Sequence, residues 1–74
     1  MNSSPYVLVL DKKVFPDKAT AKAKVEAKGF DSSKLIESNN AFRFRQAEVE
    51  TFRQDSFRIK NISNGFNSVI GEAL

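Results

Sequence analysis

The chain reads as a single small α+β domain, one main helix packed on an antiparallel sheet of about four to five short strands, in the order strand, helix, then four strands. Three observations predict this. Residues 42–46, Phe42-Arg43-Phe44-Arg45-Gln46, alternate strictly, so an extended chain sends both rings to one face and both guanidinium groups to the other. Asn64-Gly65 separates two alternating apolar runs and is the strongest short hairpin signal in the chain. Pro16-Asp17 and Gly29-Phe30 bracket a stretch rich in Ala and Lys with the residue types that start and stop a helix.

Residues 1–5 are expected to form a short disordered leader ended by Pro5, with the domain spanning residues 6–74. Tyr6-Val7-Leu8-Val9-Leu10 is a strand apolar on both faces. It is therefore either central and buried on two sides or has a face reserved for a partner, which makes Val7 and Val9, or the opposite set Tyr6, Leu8 and Leu10, interface candidates. Over residues 17–28 apolar residues recur at every second position, but Ala and Lys favour helix. On a helical wheel Ala19, Ala23, Ala27 and Phe30 are expected to share the face that lies on the sheet. Lys22 and Glu26 are placed to pair on the exposed side. A first hairpin follows: residues 34–37, a turn at Ser38-Asn39-Asn40, whose asparagines tolerate positive φ, and residues 41–46. Val49 and Phe52, three apart, suit a short helical turn that plugs an edge of the core. The second hairpin joins residues 56–62 to residues 66–70.

With 74 residues, the chain buries only about 60% of the surface exposed when unfolded. It has no Cys and no His, so it has no disulfide, no thiolate zinc site and no imidazole base. Neither a phosphate-binding nor a dinucleotide-binding glycine motif is present. Glu48 and Glu50 sit two apart on a polar turn, where solvated surface is the natural reading, and no serine has a base beside it in sequence. These features argue against an enzyme, and no cofactor or metal is expected. The longest apolar run, residues 6–10, is far short of the roughly 20 residues of a membrane span, and the first residues do not resemble a signal peptide.

The net charge of +3 is a mild bias towards acidic partners. Its distribution is more informative: every Lys except Lys60 lies at or before Lys34, whereas all four Arg lie in residues 43–58. Arginine is better suited than lysine to forked contacts with carboxylate or phosphate. Alternation in residues 56–62 puts Arg58 and Lys60 on one face, where they are expected to extend the surface begun by Arg43 and Arg45. Phe42 and Phe44 with interleaved arginines would also suit a base-stacking platform, although rings so placed usually form core.

Phe15, Gly29-Phe30, Phe42-Arg43-Phe44-Arg45-Gln46, Phe52, Ser56-Phe57-Arg58, Gly65 and Val69-Ile70-Gly71 together resemble a small α+β domain of tailed-phage proteins, over residues 15–71. The chain departs from that pattern in the helix, where Val25 or one of its neighbours stands in place of a large aromatic. As a short, basic, Cys-free protein it also resembles the small phage transcription regulators that bind host bacterial RNA polymerase. That resemblance implies a monomer in the host cytoplasm that docks on the β′ subunit near the RNA exit channel, with β as a further contact. There it would inhibit σ-dependent initiation and promote antitermination. The alternatives are a virion or head-assembly accessory module and a small nucleic-acid-binding domain.

Overall fold

A computed structural model describes residues 3–74. Five strands and one helix occur in the order β1 (Ser3–Asp11), α1 (Lys18–Ala27), β2 (Leu35–Glu37), β3 (Ala41–Arg45), β4 (Arg58–Ser63) and β5 (Phe66–Glu72), with a 3-10 turn at Val49–Thr51 between β3 and β4. All pairings are antiparallel, and the spatial order is β2-β3-β1-β5-β4. The α+β class and the hairpins at residues 35–45 and 58–72 are as the sequence predicts.

The leader expected at residues 1–5 is corrected. β1 begins at Ser3, and Ser3, Ser4 and Pro5 pair with Glu72, Gly71 and Ile70. The register shifts between Pro5 and Val7, which leaves Tyr6 as an extra residue. A proline cannot donate to a ladder, and a bulge is one of the places where a sheet tolerates it. Met1 and Asn2 lie outside the described residues.

Helix α1 starts as expected. The Thr20 N–H donates to Asp17 Oδ1 at 2.7 Å, and this bond holds the Asp17 carboxyl below the usual carboxylate range. At the other end Gly29 has φ 83°, its N–H donates to the Glu26 carbonyl and the Phe30 N–H donates to the Val25 carbonyl. This paired closure requires the left-handed conformation that glycine adopts without penalty. The helix face, however, differs from expectation. Ala21 and Val25 are buried, while Ala19, Ala23 and Ala27 are exposed. Alternating alanines give no preferred face, so the helix rotates to bury Val25, its largest apolar side chain, and Phe30 follows through the closing turn. Lys22 and Glu26 form no ion pair; Glu26 instead accepts from the Ser32 hydroxyl at 2.5 Å. Ala21→Leu should therefore overpack the contact and cost about 1–3 kcal/mol. Ala23→Leu should lie within about 0.5 kcal/mol of the parent in a urea titration.

The main core lies between α1 and one face of the sheet. Leu8 pairs with Phe44 and Ser68, and Leu10 with Phe42 and Phe66, so these side chains share a face. Leu8, Leu10, Phe44 and Phe66 have no exposed surface. A second, smaller cluster covers one end of the opposite face, where Tyr6, Phe52 and Phe57 meet with ring centroids 5.3–5.8 Å apart. Phe52 is buried there while Val49 is exposed, so of the two residues expected to plug the core only Phe52 does so. Gly71 lies beneath the rings: a Cβ built on it would stand 3.0 Å from both Phe52 and Phe57.

Positive φ occurs only at Gly29 and Gly65 among the described residues. The first hairpin thus turns without the positive-φ asparagine that Asn39-Asn40 suggests. It is closed by Ser38, whose N–H donates to the Ala41 carbonyl at 2.9 Å and whose hydroxyl donates to the same oxygen.

Candidate docking face

The sheet face opposite α1 is open beyond the Tyr6-Phe52-Phe57 cluster. Strand pairing arranges its residues in two rows. Ile36, Arg43, Val9, Asn67 and Asn61 are successive partners across all five strands. In the adjacent row Arg45, Val7, Val69 and Ile59 are successive partners across β3, β1, β5 and β4. An antiparallel sheet in so small a domain has a helix for one face only, and the other remains largely in water.

Arg43 lies near the middle of the first row, exposed, and among the described residues it forms no ion pair and no side-chain hydrogen bond. Its backbone partners carry Val9, half-buried, and Ile36, 57% exposed. Arg45 is half-buried, with Nη2 3.3 Å from Glu48 Oε1, and its Nε is buried without a partner. Ile59 is 75% exposed at the far side of the second row. Asn61 Nδ2 donates to Asn67 Oδ1 at 2.8 Å, which links these two side chains across β4 and β5. The face thus offers one unpaired guanidinium, a second partly neutralised, and exposed isoleucines on both flanks.

The residues singled out from sequence do not all come together. Arg43 and Arg45 share the open face, with Phe42 and Phe44 buried behind them as alternation requires. Val9 is on that face. Val7 is on it by parity but is only 9% exposed, and Tyr6 is half-buried in the ring cluster. These two support the face from below.

Arg58 and Lys60 are corrected outright, because they project from the helix side of the sheet. Lys60 pairs with Ser68, which pairs with the core residue Leu8, whereas Arg43 pairs with Val9, one position out of phase. The hairpin register decides this: Phe66 must enter the core, which turns Ser68 and Lys60 to the same side and Ile59 to the open one. Arg58 Nη2 instead donates to the Ser3 hydroxyl at 2.6 Å. Sequence reasoning missed Ile36 and Ile59 as surface residues. Their parity with Arg43 was readable only once the register of the edge strands was known.

A partner strand cannot add to β1, which is hydrogen-bonded to β3 on one side and β5 on the other. The free edges belong to β2 and β4. The buried positions of Phe42 and Phe44, 3% and 0% exposed, remove the base-stacking platform. Among the described residues no group of three or more acidic side chains is placed to hold a metal ion, and no helix is long and apolar enough to cross a membrane. Glu48 is engaged with Arg45, and Glu50 is exposed. No protein-family model, curated protein or solved structure matches the chain.

Proposed function

We propose that this is a non-enzymatic docking protein whose open sheet face binds an acidic protein surface. The observation that carries the reading is the exposed, unpaired Arg43 set between Val9 and Ile36, with Ile59 exposed on the far strand of the same face. A desolvated arginine in an apolar surround is a common anchor of protein interfaces, and charge complementarity would steer the encounter. Following the resemblance to small phage regulators, the proposed partner is host bacterial RNA polymerase, with β′ near the RNA exit channel as the site and the host cytoplasm as the compartment. Bound there, the protein would compete with σ at initiation and favour read-through during elongation. Arg58 and Lys60, on the other side of the sheet, are not part of this surface.

Purified core polymerase and the protein, mixed at micromolar concentrations, test the reading directly, since even a weak interface is populated there. Addition before open-complex formation should reduce run-off transcription, and addition to elongation complexes should raise read-through at an intrinsic terminator. Arg43→Glu should weaken the complex about tenfold or more and reduce its salt dependence, with the folded protein little changed. Absence of a complex would reject the polymerase reading, while a complex indifferent to Arg43→Glu and to salt would reject the face.

A further inference from the structure

The helix side of the sheet holds a feature that the docking face does not use. Beside Phe30, which follows α1, a cleft of about 390 Å³ opens against residues of β1, β4 and β5. Pro5, Phe30, Ile62 and Ile70 give it apolar walls, and Ser68 and Lys60 also line it. Cavities of roughly 300–1,000 Å³ with apolar walls and a few polar groups are typical of small-molecule sites.

The polar groups are placed for one kind of ligand. Ser68 is 2% exposed, and its Oγ is buried with no hydrogen-bond partner among the described residues. A buried hydroxyl with nothing to bond is costly to keep, and serine is not needed for packing where alanine or valine would serve. Lys60 is the direct strand neighbour of Ser68 and brings an exposed ammonium to the same side, in no ion pair among the described residues. Arg58, two positions earlier on β4, adds a second cation beside the cleft, held by Ser3. Among the described residues no acidic side chain lines the cleft.

We infer that this cleft binds a small organic anion: an apolar or aromatic body seated against Phe30, Ile62 and Ile70, with a carboxylate that pairs with the Lys60 ammonium and, through a rotamer change that turns the covered Oγ into the cleft, accepts from the Ser68 hydroxyl. The site lies on the opposite face of the sheet from Arg43, so it is independent of the proposed docking surface.

The test uses 4-phenylbutyrate as probe, with 4-phenylbutan-1-ol supplying the body without the charge and acetate the charge without the body. Amide resonances of Phe30, Lys60, Asn61, Ile62, Ser68 and Ile70 should shift saturably with 4-phenylbutyrate at about millimolar concentration. The alcohol and acetate should bind at least about fivefold more weakly, because each forgoes one half of the recognition. Ser68→Ala should weaken 4-phenylbutyrate binding while leaving the thermal midpoint of the free protein unchanged or higher, since it removes a hydroxyl that bonds to nothing. Lys60→Gln should weaken the acid towards the affinity of the alcohol, and Arg43→Glu should leave it unchanged. The inference is overturned by unsaturable or scattered shifts, by equal binding of acid and alcohol, or by a Ser68→Ala protein that binds as before. A Ser68→Ala protein with a lower thermal midpoint would also overturn it, by assigning the hydroxyl a structural partner.

Discussion

Phe44→Ala should cost about 3–5 kcal/mol, the largest effect expected of any single substitution in this chain. Phe44 has no exposed surface, and its backbone partners carry Leu8 and Leu35, both part of or packed against the main core. A core of this size rarely supplies more than about 3–5 kcal/mol in total, so the variant should be substantially unfolded at 25 °C by circular dichroism and amide dispersion. The neighbouring Arg43→Ala should lie within about 0.5 kcal/mol of the parent in urea titration, because Arg43 faces water and forms no ion pair among the described residues. Phe44→Leu keeps a measurable transition if the alanine variant has none. Comparable losses at positions 43 and 44 would mean that β3 does not present one face to the core and the other to solvent.

The second large effect is expected at Gly71. Its backbone needs no special conformation, since only Gly29 and Gly65 have positive φ among the described residues, so the requirement is purely one of space. A Cβ there stands 3.0 Å from Phe52 Cδ1 and from Phe57 Cδ1 and Cε1, and the rings are themselves packed with Tyr6. Gly71→Val should cost about 1–3 kcal/mol or somewhat more, and Gly71→Ala should fall at the low end of that range. Combining Gly71→Val with Phe57→Leu opens room at one of the two contacts. The double variant should then recover part of the loss, with a coupling of about 0.5–3 kcal/mol in a double-mutant cycle. Additive losses would show that the rings do not lie over the glycine. Hydrogen exchange should accelerate first in residues 46–57, which close over this cluster through the Arg53 N–H to the Glu72 carbonyl and the Leu74 N–H to the Thr51 carbonyl.

Both predictions concern the support of the Arg-bearing face. Phe44 and Phe42 hold it from behind, and the Tyr6-Phe52-Phe57 cluster closes one end of it. The open remainder is where binding is proposed, and it is small enough that charge reversal at Arg43 should be felt across it.

Local chemistry was enough for every element whose signal is local. Asp17 and Gly29 bound the helix because a side-chain acceptor and a left-handed residue are needed at its two ends, wherever it packs. Asn64-Gly65 marked the last turn, where Gly65 alone takes positive φ. Phe42-Arg43-Phe44-Arg45 declared its inner and outer faces by alternation, and the class of fold followed from the order of these elements. What remained undecided by sequence depends on which elements become neighbours. Alanines at every second position leave the helix free to rotate, and the burial of Val25 chose Ala21 over Ala19, Ala23 and Ala27. An apolar strand reads the same whether it is central or waiting for a partner, and pairing with both β3 and β5 made β1 central. Nothing local to Gly71 in the sequence announces the two rings that pack over it. The side taken by Arg58 and Lys60 hung on a one-residue choice of register between β4 and β5, and a shift of one residue inverts every side chain of a strand. That choice was made by the burial of Phe66, a requirement that exists only when β5 lies beside β1 beneath the helix.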